Sequence, residues 1–286
     1  MLTEKQTERM LDKLKQFEET LENLMFRPVE EVSMGMYQTS ESLDRMPDRE
    51  LFHKAKKGDI WGGEGKYCWF AGDFVVPEYL DGKDLYLKPE IGGYEAMLWI
   101  DGVPYGIYTS KIIVHSHGNH YCNLMKKKAE VGEHVDIALE YYAHHYVMGT
   151  QPFSCNPHEK YEYSYNKVSV CLKDQEISDF YFDLKIVNQM TDVLDKNSFR
   201  RADIINTLYQ IHQIIYYDYE NAGHAEFMEA LRKAEPLLCN ILSKKNSETT
   251  PFAGLIGHSH MDTAWLWHQG ETLKKCARTY SNQMNL

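Results

Sequence analysis

His258, His260 and Asp262 stand at i, i+2 and i+4 in the run Gly254-Leu-Ile-Gly-His-Ser-His-Met-Asp-Thr-Ala-Trp-Leu-Trp-His268. In an extended backbone alternate side chains share a face, so two imidazoles and a carboxylate converge. Such N and O donors make a half-site for a divalent metal, Zn²⁺ above all. Trp265 and Trp267 alternate just beyond it, so one is read as lining a pocket and the other, Trp267, as packing in a core.

The elements expected to position these residues flank them. Phe252 to Ile256 is short, apolar and bounded by Pro251 and Gly257, which predicts a buried strand. Leu273, Cys276, Ala277, Tyr280 and Met284 then recur at helical spacing, predicting an amphipathic helix over 268–285 with that stripe inward and Cys276 as a small core residue. Glu271 in its first turn suits the helix dipole, and Glu271 with Lys275 forms an i,i+4 pair. Strand, polar loop and helix make one βα unit, the junction at which α/β folds place their sites.

The run from His258 to Trp267, followed by Glu271-Thr-Leu-Lys-Lys-Cys-Ala-Arg-Thr-Tyr-Ser281, resembles the first catalytic-domain motif of class II α-mannosidases, glycoside hydrolase family 38. The resemblance implies zinc held by His260 and Asp262, with His258 as a candidate accessory ligand. It also implies a sugar contacted by Asp262 and by Trp265 as part of a mannose platform. The chain departs from the pattern at His268-Gln269-Gly270, where relatives commonly carry Pro and then often Arg. The implied reaction is retaining hydrolysis of terminal α-mannosidic linkages, with zinc orienting the sugar hydroxyls. In that family the nucleophile, the acid/base carboxylate and a further ligand lie downstream, so no catalytic carboxylate is assigned within these residues and the segment alone is expected to be inactive.

The bulk properties fit a globular protein: 286 residues, 43% hydrophobic and 26% charged. A formal net charge of −11 argues against nucleic acid as a partner, since a polyanion needs basic stripes. Lys126-Lys127-Lys128 is followed by Glu130 and Glu133 and reads as a solvated loop. No apolar run approaches the roughly 20 residues of a membrane span, and no secretory signal opens the sequence. Six scattered cysteines without a Cys-x-x-Cys pair suit reduced thiols, so the expected location is cytoplasmic.

The expected architecture is α+β and multidomain: an N-terminal helix, an antiparallel β-sandwich of jelly-roll type, a helical segment, and the first βα unit of an α/β-barrel-type catalytic domain. Residues 3–25 carry an apolar stripe (Leu2, Met10, Leu11, Leu14, Phe17, Leu21 and Leu24) that needs a later domain or a second subunit to cover it. The divisions expected are 1–60 for this helix and a wrapping connection, 61–177 for the sandwich, 178–250 for the helical linker and 251–286 for the start of the βα domain. Asp101-Gly102 marks a hairpin, and Val135, Ile137, Leu139 and Tyr141 alternate inward. Asn197-Ser198 reads as a helix cap, and Pro236 predicts a kink or break within 225–242. His115, His117 and His120 read as a polar loop rather than a metal site, and most strand aromatics as core.

Two other functions compete. A metal-dependent amidohydrolase also opens on a His-x-His strand, and the sandwich could be a stand-alone carbohydrate-binding or interaction module. The partners expected are α-mannosides or oligosaccharides, with homo-oligomerisation through the first helix as one way of covering its stripe.

Overall fold

The computed structural model describes residues 2–93, 95–109, 120–146, 160–246, 250, 253–257, 261–265, 267 and 269–284. The chain divides into two compact units, Met1–Arg27 with Lys173–Leu255, and Pro28–Leu172 with Ile256–Leu286. This redraws the expected divisions. The first helix belongs with the helical segment, and residues 28–60 belong with the strands.

The helical unit contains α1 (Glu4–Met25), α2 (Gln175–Val193), α3 (Phe199–Ile214), the single turn α4 (Tyr219–Ala222) and α5 (His224–Leu242). Helix α1 starts at a reciprocal cap: Thr3 Oγ1 accepts from Gln6 N at 3.3 Å, and Gln6 Oε1 accepts from Thr3 N at 2.9 Å. Its Met10, Leu14, Phe17, Leu21 and Met25 are buried against α2, α3 and α5, among Leu184, Val187, Leu208 and Phe227. The stripe is thus covered within the chain. Asp174 and Ser198 cap α2 and α3 through the amides of Ile177 and Arg201. The break expected at Pro236 is absent, because α5 runs through it. A proline removes one helical hydrogen bond, and the buried residues on both sides, Leu231, Ala234, Leu238 and Ile241, hold the helix together.

The second unit is built from β1 (Phe26–Glu31), β2 (Gly35–Thr39), β3 (His53–Lys54), β4 (Ile60–Gly62), β5 (Tyr67–Val75), β6 (Leu85–Glu90), β7 (Glu95–Ile100), β8 (Val103–Thr109), β9 (Asn123–Lys126), β10 (His134–Tyr142), β11 (Glu162–Ser164) and β12 (Lys167–Lys173). They form a four-stranded sheet ordered β1-β12-β6-β9, a six-stranded sheet ordered β3-β2-β5-β10-β7-β8, and the small pair β11-β4. The inner faces meet in one core that includes Phe70, Leu98, Ile137 and Leu139 with Leu85, Leu87, Val168 and Val170. The β7–β8 turn has Asp101 at φ 51° and Gly102 at φ 75°, the doubly positive geometry whose twist matches the flanking strands.

The outer face of the six-stranded sheet positions the candidate site. Strands β5, β10 and β7 are antiparallel neighbours, and their register sets Glu140 between Trp69 and Met97. The period-two alternation that sends Ile137 and Leu139 inward sends Ala138 and Glu140 outward. Trp69, Ala71, Met97, Trp99 and Ala138 form a second apolar patch there, flanked by Leu43, Met46, Phe52 and Ala277. The last residue of that group lies on α6 (Gln269–Met284).

Helix α6 departs from the sequence reading in its orientation. Glu271, Thr272, Lys274, Arg278 and Ser281 are its buried residues, whereas Leu273, Tyr280 and Met284 are exposed, and Cys276 and Ala277 are half-buried. The sheet beneath presents two carboxylates, Glu95 and Glu140, so the cationic stripe of α6 faces inward and its apolar stripe outward. The strand expected over 252–256 is not formed in its described part. Ala253–Gly257 carry no strand pairing, with Leu255 97% and Ile256 92% exposed. A lone extended segment with no neighbouring strand has nothing to complete its backbone hydrogen bonds.

Candidate functional site

Of the predicted site residues, Asp262 and Trp265 are described, whereas His258 and His260 lie outside the described residues. Asp262 is half-buried in the loop that leads into α6. Three contacts fasten that loop to the helix. Thr272 Oγ1 accepts from both Ala264 N and Trp267 Nε1 at 3.1 Å, and Cys276 Sγ lies 3.6 Å from Met261 Sδ. Ala264 adopts φ 51°, a left-handed turn held in place by the bond to Thr272. Trp267 is half-buried, and its ring meets that of Trp265 edge-on at 5.8 Å and 86°. Trp265 is 55% exposed.

Beneath the loop lies a layer of charge. Lys274 Nζ is 2.7 Å from Glu140 Oε1, bonds the Leu43 carbonyl and sits 5.7 Å from the Trp69 ring centre. Arg278 Nε is 2.9 Å from Glu95 Oε1, and its other arm meets Glu271. Glu271 also accepts from Tyr67 Oη at 2.7 Å. Lys275 Nζ is 3.0 Å from Glu95 Oε2 and 4.5 Å from the Trp267 ring centre. The i,i+4 pair expected between Glu271 and Lys275 is therefore replaced: Glu271 turns to Arg278, and Lys275 to the sheet. Three carboxylates face three cations, so the layer is neutral as a whole.

Burial pulls the Glu95 carboxyl up, but Arg278 and Lys275 outweigh it and hold Glu95 at about 2. Glu140 goes the other way. Its burial raises it above the ordinary carboxyl value, and Lys274 recovers only part of that shift. Burial and the adjacent Glu271 both keep the Tyr67 phenol protonated well above its ordinary value.

Elsewhere, His120 is a half-buried loop residue, its Nε2 2.8 Å from Asn123 Oδ1 and its pKa lowered by burial; His115 and His117 lie outside the described residues. In the helical unit Asp183, Glu235 and Cys239 place three donor atoms within 4.8 Å. Burial, with neighbouring carboxylates, raises both Glu235 and Cys239. A protonated thiol donating to Glu235 Oε1 at 3.5 Å accounts for that group without a cation. None of the described helices is long and apolar enough to cross a membrane.

Sequence reasoning missed the roles of Thr272, Lys275, Glu95 and Glu140. A signal was present: Glu271, Lys274 and Arg278 are themselves spaced for one helix face, and Glu140 interrupts the apolar run from Ile137 to Tyr142.

With this geometry in view, the likeness to known proteins is specific. Residues 252–286 match the family described as Glycosyl hydrolases family 38 N-terminal domain. The matched residues include Asp262, Trp265 and the whole of α6. It is 25% identical to Alpha-mannosidase 2C1 of Mus musculus over 259 residues, 89% of this chain and 24% of that protein. It is 24% identical to Alpha-mannosidase 2C1 of Homo sapiens over 85% of this chain, and 23% identical to Alpha-mannosidase G of Dictyostelium discoideum over 82%. The chain thus spans about a quarter of the length of these relatives. Among solved structures, a β-glucuronidase from Ruminococcus gnavus aligns over 52% of this chain and 29% of its own, at 10% identity and a TM-score of 0.34.

Proposed function

We propose that the protein carrying this chain is a zinc-dependent retaining α-mannosidase acting on terminal α-mannosides of oligosaccharides in the cytoplasm. In this reading residues 251–286 open its α/β-barrel-type catalytic domain. His260 and Asp262 are its metal ligands within this segment, with His258 accessory, and Asp262 and Trp265 contact the sugar. The observation that carries the reading is the coincidence of the His258–Trp267 run with the family match at 252–286, in a chain similar over most of its length to α-mannosidases.

The donor set suits the metal: one carboxylate and two imidazoles are borderline N and O ligands of the kind zinc takes. When bound, zinc would supply a positive centre that fixes the sugar hydroxyls. The chain's own residues do the rest of what happens here. The Asp262 carboxylate, which in its ionised form accepts and never donates, takes hydrogen bonds from sugar hydroxyls and fixes the ring's rotation. Trp265 offers an apolar face to the C–H side of the ring and excludes water from it. A covalent glycosyl-enzyme needs a carboxylate nucleophile and a second carboxyl group as acid and base, which this reading assigns to residues beyond the segment.

The test is chromogenic α-mannoside hydrolysis and zinc content of the complete protein, with His258→Ala and His260→Ala compared. Loss of zinc and activity in His260→Ala, with a smaller loss in His258→Ala, is expected. Equal loss of metal in both, with amide rather than mannoside hydrolysis, would favour an amidohydrolase and overturn the proposal.

A further inference from the structure

Lys275 links the β-sheet to the tryptophan pair. Lys275 leaves α6 with its ammonium 3.0 Å from Glu95 of β7 and 4.5 Å from the centre of the Trp267 ring. Glu95 is itself anchored, at 2.9 Å, by Arg278, and its low pKa keeps it ionised at any ordinary pH. The far side of the chain of contacts is Trp265, edge-on to Trp267.

We infer that Lys275 is a positioning residue: clamped by Glu95, its ammonium fixes the plane of Trp267 and thereby the exposed face of Trp265. A cation over an indole face is drawn to the negative face of its π-system, so it resists rotation of the ring. The Nε1–H bond to Thr272 pins one edge of Trp267 but leaves rotation about that bond free. The ammonium supplies the second restraint. With Trp267 held in this way, the edge-on contact carries the restraint to Trp265. Calling Trp265 a sugar platform rests on the function proposed above, whereas the restraint on the two rings does not.

The test uses fluorine NMR of the 286-residue chain labelled with 5-fluorotryptophan, each of the five resonances assigned by Trp→Phe replacement. Lys275→Met should move the Trp265 and Trp267 resonances together and broaden that of Trp265, with Trp61 in the sandwich core unmoved. Lys275→Arg, which keeps the cation, should restore both, and Glu95→Gln should reproduce the Lys275→Met change. In the complete enzyme the same Lys275→Met should raise KM for an α-mannoside on the order of threefold to tenfold, the worth of one cation–π contact, with kcat little changed. Unmoved Trp265 and Trp267 resonances in both Lys275→Met and Glu95→Gln overturn the inference, as does failure of Lys275→Arg to restore them. Absence of any mannosidase activity in the wild-type enzyme would sink the functional proposal while leaving the resonance result to stand or fall by itself.

Discussion

Replacing Lys274 by Met removes the counter-ion of Glu140, a carboxylate buried in the β-rich unit. The side chains of Lys274 and Glu140 are 6% and 1% exposed, so neither is rescued by water where it stands. Breaking such a pair from one side typically costs about 3–5 kcal/mol, because a buried charge is left alone. Glu140 has one escape, which is to take a proton. From an ordinary carboxyl value of 4.5, protonation at pH 7 costs about 3.4 kcal/mol at about 1.36 kcal/mol per pH unit. That caps the electrostatic loss, so the expected destabilisation at pH 7 is about 3 kcal/mol, plus the lost contact with Trp69. The pH dependence follows with a definite sign. A carboxyl whose folded pKa is raised binds its proton more tightly folded than unfolded, so its penalty grows as pH rises above the unfolded value and vanishes below it. The deficit of the variant should therefore shrink below about 1 kcal/mol near pH 5. All five tryptophans lie in the β-rich unit, so urea unfolding followed by tryptophan fluorescence reads that unit alone. Adding Glu140→Leu to Lys274→Met should recover most of the loss, since an apolar pair needs no desolvation. A loss under about 1 kcal/mol at pH 7, or one independent of pH between 5 and 7, would refute the ion-pair account.

Three further outcomes are expected. Glu95, depressed to about 2 from 4.5, contributes stability that is present above pH 4.5 and lost between pH 4.5 and 2; Glu95→Gln should abolish that acid transition in tryptophan fluorescence, and an unchanged transition would contradict the assignment. Deleting residues 1–25 strips five buried side chains from the helical unit, each worth about 1.5–3 kcal/mol, and should produce aggregation or a changed oligomeric state. Unchanged size-exclusion behaviour and thermal stability would count against it. The 286-residue chain alone should retain little zinc after dialysis and release no chromophore from an α-mannoside, since losing even one outer-shell partner of a metal ligand typically costs about 10–100-fold in affinity; near-stoichiometric zinc with turnover would contradict this.

Local pattern made much of the fold legible. Ser198 and Asp101-Gly102 are short-range signals whose partners lie within a few residues, and each occupies the cap or turn its chemistry implies. The alternation from Val135 to Tyr141 gave the inner face of β10 for the same reason. What periodicity could not resolve was α6, because both of its stripes are helical in period. The choice between burying Leu273, Tyr280 and Met284 or Glu271, Lys274 and Arg278 depends on Glu95 and Glu140, more than 100 residues away in sequence. Pro236 failed as a breaker because tertiary burial on both sides outweighs one lost hydrogen bond. At the site, Asp262 and Trp265 are singled out by type and spacing and their roles belong to the function proposed above, whereas Thr272 and Lys275 act through hydrogen-bond and cation–π geometry that spacing does not encode.

The central claim is that the segment before α6 contributes metal and sugar contacts to an α-mannosidase. The most direct measurement is kcat/KM of the complete protein on an α-mannoside, with zinc content, for wild type and Asp262→Asn. The account predicts zinc-dependent mannoside hydrolysis in the wild type. In the variant it predicts a loss greater than the about 10–100-fold cost of an outer-shell partner, together with depleted zinc. Wild-type activity and zinc content preserved in Asp262→Asn would contradict it.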